Sequence, residues 1–298
     1  PVIELSSMCM TVENCRAKID EGKQIANANG FGFGVQLHNS ISRELYDEVI
    51  RNRDGIELSM HSPVFAEYFI NLAASDFDLA LAACRDNAAR LSDIGSDILF
   101  FHGFFMTDKP LVHDMKHYRR VMAAGIGDEF RLNESFIMNP AVFETQLYRN
   151  FKSRFAQNFT KMKSMFPHLR LALENDFVGM GSGLQRPQEI HEFIDPLWFD
   201  LGHFWCSSLL HGFDYYEGCE RIIEEKEIVG VHINHNFMTA ETPREELRDS
   251  HAHLWQPSAQ NLAPIVRSLL DSGADLFTLE IVDGDAQDMK RFFEWIKA

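Results

Sequence analysis

Six residues of metal-ligand type each close a short apolar run: His61 in ELSMHSP, His102 in DILFFHG, Glu174 in LRLALEN, Asp200 in LWFDLGH, His232 in IVGVHIN and Glu280 in LFTLEIV. A helix-like stretch follows each run before the next begins. Runs this short and this apolar suit strands buried on both faces. Strands alternating with helices make a parallel sheet, and a parallel sheet that closes gathers the carboxyl ends of its strands at one mouth. Residues scattered along the chain then meet there.

Eight such units are expected. Their strands lie near Val2–Leu5, Gly32–Leu37, Gly55–Met60, Asp97–Phe101, Arg170–Leu173, Leu197–Phe199, Ile228–Val231 and Leu276–Leu279. The expected fold is α/β, a single (β/α)8 TIM barrel over residues 1–298. Residues 103–139, after the fourth strand, are too long for an ordinary βα turn and carry Gly103, Pro110, Gly125 and Gly127. Connections of that length are usually binding loops or covers, so a lid over the mouth is expected. Among the helices, Leu147, Phe151, Phe155 and Phe159 are expected on one buried face, with Arg149, Lys152, Lys161 and Lys163 in solvent.

Apolar residues make up 45 %, with 25 Phe and 12 Met, enough for a large and adaptable core. The net charge of −16 repels polyanions at long range, although bound divalent ions can invert the sign locally. Five cysteines in no CxxC spacing argue against a disulfide scaffold and for a cytoplasmic protein. No apolar stretch is long enough to span a bilayer, so no membrane partner is expected.

Three more donors follow the six closely: His203 in DLGH, and Asp249 and His251 in D-S-H. Any one histidine is most often a satisfied core or surface residue. The weight lies in the set. Nine nitrogen and oxygen donors are too many for one ion and suit two or three divalent ions with a bridging carboxylate.

In these residues the chain resembles the endonuclease IV family (AP endonuclease family 2), within the xylose-isomerase-like barrels. The resemblance runs along nearly the whole chain. LENDFVGMGSG resembles the family's E-N-x-x-G-x-G-S loop, and HSPVFAEYFINLAASD its H-x-P loop ending in I-N-L-A. The resemblance implies a trinuclear Zn²⁺ site. His61, His102 and Glu174 would hold the first ion, and Glu174 would bridge to a second held by Asp200, His232 and Glu280. His203, Asp249 and His251 would hold the third. It also implies hydrolysis of a phosphodiester, with abasic DNA as the family's substrate, because such ions lower the pKa of water toward neutrality.

The loops around the donors differ from the family's. His232-Ile233-Asn234-His235 stands where H-L-N-D is usual, and Leu254-Trp255-Gln256-Pro257 replaces a G-E-G. The stretch Gln36–Ser42 is short and lacks a basic DNA-reading element. An alternative within the same superfamily is a sugar or sugar-phosphate isomerase or epimerase. It would use one Mn²⁺ or Co²⁺ on Glu174, Asp200, His232 and Glu280. Glu174 and Glu280 would then be the acid–base pair, His203 would contact substrate, and Trp255, Phe104 and Phe105 would line the pocket. Three smaller features stay open: His113 and His117 four residues apart; the basic run Lys109, Lys116, Arg119 and Arg120; and a Gly179, Gly181, Ser182, Gly183 loop that is either an anion nest or a plain turn.

Overall fold

The computed structural model describes residues 1–179 and 181–297. Eight parallel strands close a barrel in sequence order: β1 (Val2–Ser6), β2 (Gly32–Leu37), β3 (Glu57–Ser62), β4 (Ile98–Phe101), β5 (Arg170–Glu174), β6 (Leu197–Asp200), β7 (Ile228–Ile233) and β8 (Leu276–Leu279). The α/β TIM barrel expected from the apolar runs is the fold observed. Around it lie α1 (Cys15–Ala28), α2 (Arg43–Arg51), α3 (Phe77–Ile94), α4 (Tyr118–Gly125), α5 (Gln146–Met165), α6 (Pro187–Phe193), α7 (Leu201–His211), α8 (Tyr215–Glu225), α9 (Ala263–Asp271) and α10 (Ala286–Lys297). Two helices, α7 and α8, connect β6 to β7 where one was expected. The break falls where Gly212 takes a left-handed φ of 76° and Asp214 caps the next helix through the Glu217 amide.

On α5 the buried stripe is Tyr148, Phe151, Phe155, Phe159 and Met162, and Leu147 lies on the solvent side, 43 % exposed. The expectation for Leu147 fails for a geometric reason. A spacing of four advances about 40° per step, so three successive steps leave the face that alternating threes and fours keep. The basic residues of α5 are engaged within the chain: Lys152 pairs with Glu192 at 2.6 Å, and Lys161 lies over the Phe77 ring.

Aromatic side chains fill the barrel floor. The Phe100 and Trp198 rings stack at 3.7 Å between centroids. Gly230 makes room for them, because a Cβ there would stand 2.5 Å from the indole.

Residues 103–139 fold back on the barrel. They contain α4 and bury Leu111, Met122, Ile126, Phe130, Ile137 and Met138. Backbone bonds stitch them to the loop after β5: Met106 N–H to Gly181 O (2.8 Å), Met138 N–H to Val178 O (2.9 Å) and Gly183 N–H to Phe104 O (3.1 Å). The glycines of that loop therefore serve close packing. Gly179 lies against Phe136 and Gly183 against the Phe104 ring, and the Ser182 and Gly183 amides bond within the chain. The anion-nest reading does not hold for those amides. Met180, inside the same loop motif, lies outside the described residues. His113 and His117 do not converge either: His113 packs edge-on to Phe69 and His117 pairs with Asp114.

Candidate metal centre

All nine donors singled out in the sequence come together at the carboxyl end of the barrel. His61 and His232 lie near the ends of β3 and β7, Glu174 and Asp200 close β5 and β6, and His102 and Glu280 stand one residue past β4 and β8. Asp200 caps α7, accepting the His203 amide at 2.6 Å, which places His203 in the first turn of that helix.

Glu174 is at the centre. Its Oε2 lies 2.9 Å from His61 Nε2 and 3.3 Å from His102 Nε2. Its Oε1 lies 2.8 Å from His232 Nδ1, and that nitrogen is 3.4 Å from both Asp200 and Glu280. Two groups of mutually close donors result, His61–His102–Glu174 and Glu174–Asp200–His232–Glu280, and either could hold a metal ion. Beside them His203 Nε2 and His251 Nε2 face the same oxygen of Asp249 at 3.0 and 2.8 Å. Another close group, His253 with Asp285 and Asp288, is a helix cap. Asp288 accepts from His253 and from the Leu254 and Asp285 amides.

Two observations test whether the donors fit cations. First, Asp249 Oδ1 is buried without a hydrogen-bond donor, and Glu174 Oε2 and Asp200 Oδ2 have only histidine ring nitrogens close by, a costly state for a carboxylate that a cation relieves. Secondly, the far nitrogens of the histidines are engaged by outer partners. His102 Nδ1 meets Asp176 (3.0 Å), His203 Nδ1 the Asn175 carbonyl (2.9 Å), His251 Nδ1 the Glu280 carbonyl (2.8 Å) and His232 Nε2 Gln36 (3.0 Å). That arrangement fixes each ring and leaves the inward nitrogen for a ligand bond. His61 Nδ1 meets the Asn39 amide at 3.3 Å, and turning that amide over would let its unpartnered Oδ1 accept the proton.

Charge follows the geometry. Burial raises the Glu174 carboxyl, but His102, His232 and His61 outweigh it and hold it well below the ordinary range. Burial likewise opposes protonation of His251, yet Asp249 and Glu280 push it up to about 10. Cation uptake must expel any proton held on a ligating histidine.

A polar relay runs from this cluster into the barrel. His232 Nε2 donates to Gln36 Oε1, Gln36 Nε2 to Thr278 Oγ1 (3.2 Å), and the Thr278 and Ser59 hydroxyls to Glu4 Oε2 (2.7 Å each). Burial pushes the Glu4 carboxyl up to about 7, partly offset by the Thr278 and Ser59 hydroxyls. The folded state then holds a proton that the unfolded chain releases near 4.5. Stability from this group is greatest below that value and falls as pH rises toward 7. Glu4→Gln is expected to change stability little near pH 4.5 and to stabilise at pH 8 by roughly 3 kcal/mol. Urea unfolding at both pH values checks this; an equal difference at the two would contradict it.

Above the donors lies a cavity of about 270 Å³. Seven of the nine donors line it, while Asp200 and His232 are fully buried beneath. Residues 103–139 contribute Phe105, Met115, Tyr118, Arg119 and Phe136 to its wall. Of the three aromatic residues expected there, only Phe105 lines it. Phe104 turns the other way and stacks on Phe155, and Trp255 stacks on His253. Sequence reasoning missed His38, Asp176 and Phe69. His38 follows β2 directly and its Nε2 lies 3.6 Å from Glu280, so the strand-end rule applied to β2 would have found it.

No family model matches the chain, and no curated protein matches it. Solved structures do. An AP endonuclease of family 2 from Brucella melitensis superposes with a TM-score of 0.62 at 13 % identity, covering 99 % of this chain and 98 % of that one. A D-tagatose 3-epimerase-like protein gives 0.60 at 16 % identity, covering 99 % and 95 %. A protein from Thermus thermophilus, soaked with zinc chloride, gives 0.51 at 16 % identity, covering 99 % and 97 %. At these identities the likeness is one of fold, and the fold of this chain is the (β/α)8 barrel.

Proposed function

We propose that this chain is a metal-dependent hydrolase of phosphoester bonds in a small substrate, with at least two divalent ions sharing Glu174. The observation that carries this reading is the position of Glu174, whose two oxygens face two different donor groups. Imidazole and carboxylate donors suit Zn²⁺, with Mn²⁺ or Co²⁺ as alternatives. When bound, such ions lower the pKa of water and draw charge from a phosphoryl group. The protein's own part is to hold the donors. His61 and His102 fix one position, Asp200, His232 and Glu280 the second, and His203, Asp249 and His251 a third. A cavity walled in part by residues 103–139 supports a small substrate over a DNA duplex, with that segment as the cover. Five free, buried cysteines support a reducing, cytoplasmic setting. Among the described residues no helix is long and apolar enough to cross a membrane.

A second reading, a one-metal sugar epimerase, is favoured by the compactness of the Glu174–Asp200–His232–Glu280 group, in which every member is at most 3 % exposed. Elemental analysis separates the two. The hydrolase binds about two to three Zn²⁺ per chain and cleaves members of a phosphomonoester and phosphodiester panel. His61→Ala then loses about one ion and about 100-fold in rate. One ion per chain, with His61→Ala harmless and an epimer formed from a ketose, would select the second reading.

A further inference from the structure

The cavity has a side that phosphoester chemistry does not use. Besides the donors, its lining includes Met8, Phe69, Phe105, Met115, Phe136 and Phe177. Apart from the donor cluster with its neighbour His38, only Asn39, Tyr118 and Arg119 offer polar side chains among the described residues of the lining. A polyol on this wall would leave most hydroxyls without partners, at a cost for each group taken out of water. A ring or branched hydrocarbon would gain from the same burial.

Arg119 is the one arginine or lysine among the described lining residues. Its guanidinium lies 5.2 Å from the centre of the Phe136 ring and pairs with no carboxylate among the described residues. Of the basic run Lys109, Lys116, Arg119 and Arg120, it alone lines the cavity. An unpaired arginine laid over an aromatic wall suits a ligand that is both anionic and apolar.

We propose that the site selects a small amphiphilic anion, with its acidic head on the donor cluster, an aromatic or branched apolar body on the Phe–Met wall, and Arg119 supplying positive charge at the rim. This rests on the hydrolase reading for the head and on the wall alone for the body. Such a substrate is an aryl or branched-alkyl phosphoester; a sugar phosphate is disfavoured.

Calorimetric titration of the Zn²⁺-loaded full chain tests it with three probes: phenylphosphonate, methylphosphonate and ribose 5-phosphate. Phenylphosphonate is expected to bind at least about tenfold more tightly than methylphosphonate, the gain from burying the ring. Phe136→Ala is expected to shrink that ratio, with Phe136→Leu intermediate; a loosened Arg119 would weaken both phosphonates alike and leave the ratio as the readout. Arg119→Gln is expected to weaken both phosphonates by a similar factor. A ratio near one, or ribose 5-phosphate binding more tightly than phenylphosphonate, would overturn the inference. Should neither phosphonate bind, the phosphoester reading of the head fails, and benzoate against acetate makes the same comparison for the body. Preference for benzoate then upholds the wall, and equal affinity overturns it.

Discussion

Glu174→Gln is expected to remove two ions together and to lower phosphoester hydrolysis by more than about 100-fold, beyond the 10–100-fold cost typical of an outer partner. Each Glu174 oxygen serves a different donor group, so one amide substitution weakens both positions. The amide also replaces an acceptor by a donor that would point at an imidazole nitrogen. Asp176→Asn is the graded comparison. It touches only the far nitrogen of His102, so its cost should stay within roughly 10–100-fold. Elemental analysis and turnover on the same preparations check both. Loss of a single ion from Glu174→Gln would mean that the carboxylate is not shared.

Trp198→Ala is expected to cost about 3–5 kcal/mol of stability, the range for removing a large buried aromatic side chain. The indole is fully buried, stacks on Phe100 and meets the His232 ring edge-on at 5.5 Å. It is therefore both floor and support, and the variant should also lose metal affinity as the His232 ring gains room. Trp198→Phe keeps an aromatic face and removes an indole N–H that has no partner, so its cost should be much smaller. Denaturant unfolding of the metal-free proteins measures the packing term alone. Equal stability of wild type and Trp198→Ala would show that the floor collapses to fill the space.

The barrel was legible because a strand buried on both faces has little freedom of composition. Its apolar run ends abruptly where the chain reaches the mouth, and a polar residue at that point stands out. Glu174, Asp200 and His232 were found in this way, and His38 obeys the same rule after β2. Asp176 did not stand out, since it sits two residues beyond β5 and its role depends on a ring arriving from β4. The wall was less legible still. Phe104 and Phe105 are neighbours in sequence, yet one packs on α5 and the other faces the cavity. Outside a strand or helix no period tells which way a side chain turns. The same holds for Phe136; Tyr118 and Arg119 open α4, and their places depend on how residues 103–139 dock against the loop after β5.

Whether two ions share Glu174 decides between the hydrolase and the one-metal reading. Crystals of the full chain soaked in Zn²⁺ and measured at the zinc absorption edge answer it. Two anomalous peaks are expected about 3.5–4 Å apart, on either side of the Glu174 carboxylate. One near His61 and His102 would be matched by one near Asp200, His232 and Glu280. A single peak enclosed by Glu174, Asp200, His232 and Glu280, with His61 and His102 making no metal contact, would contradict the shared carboxylate.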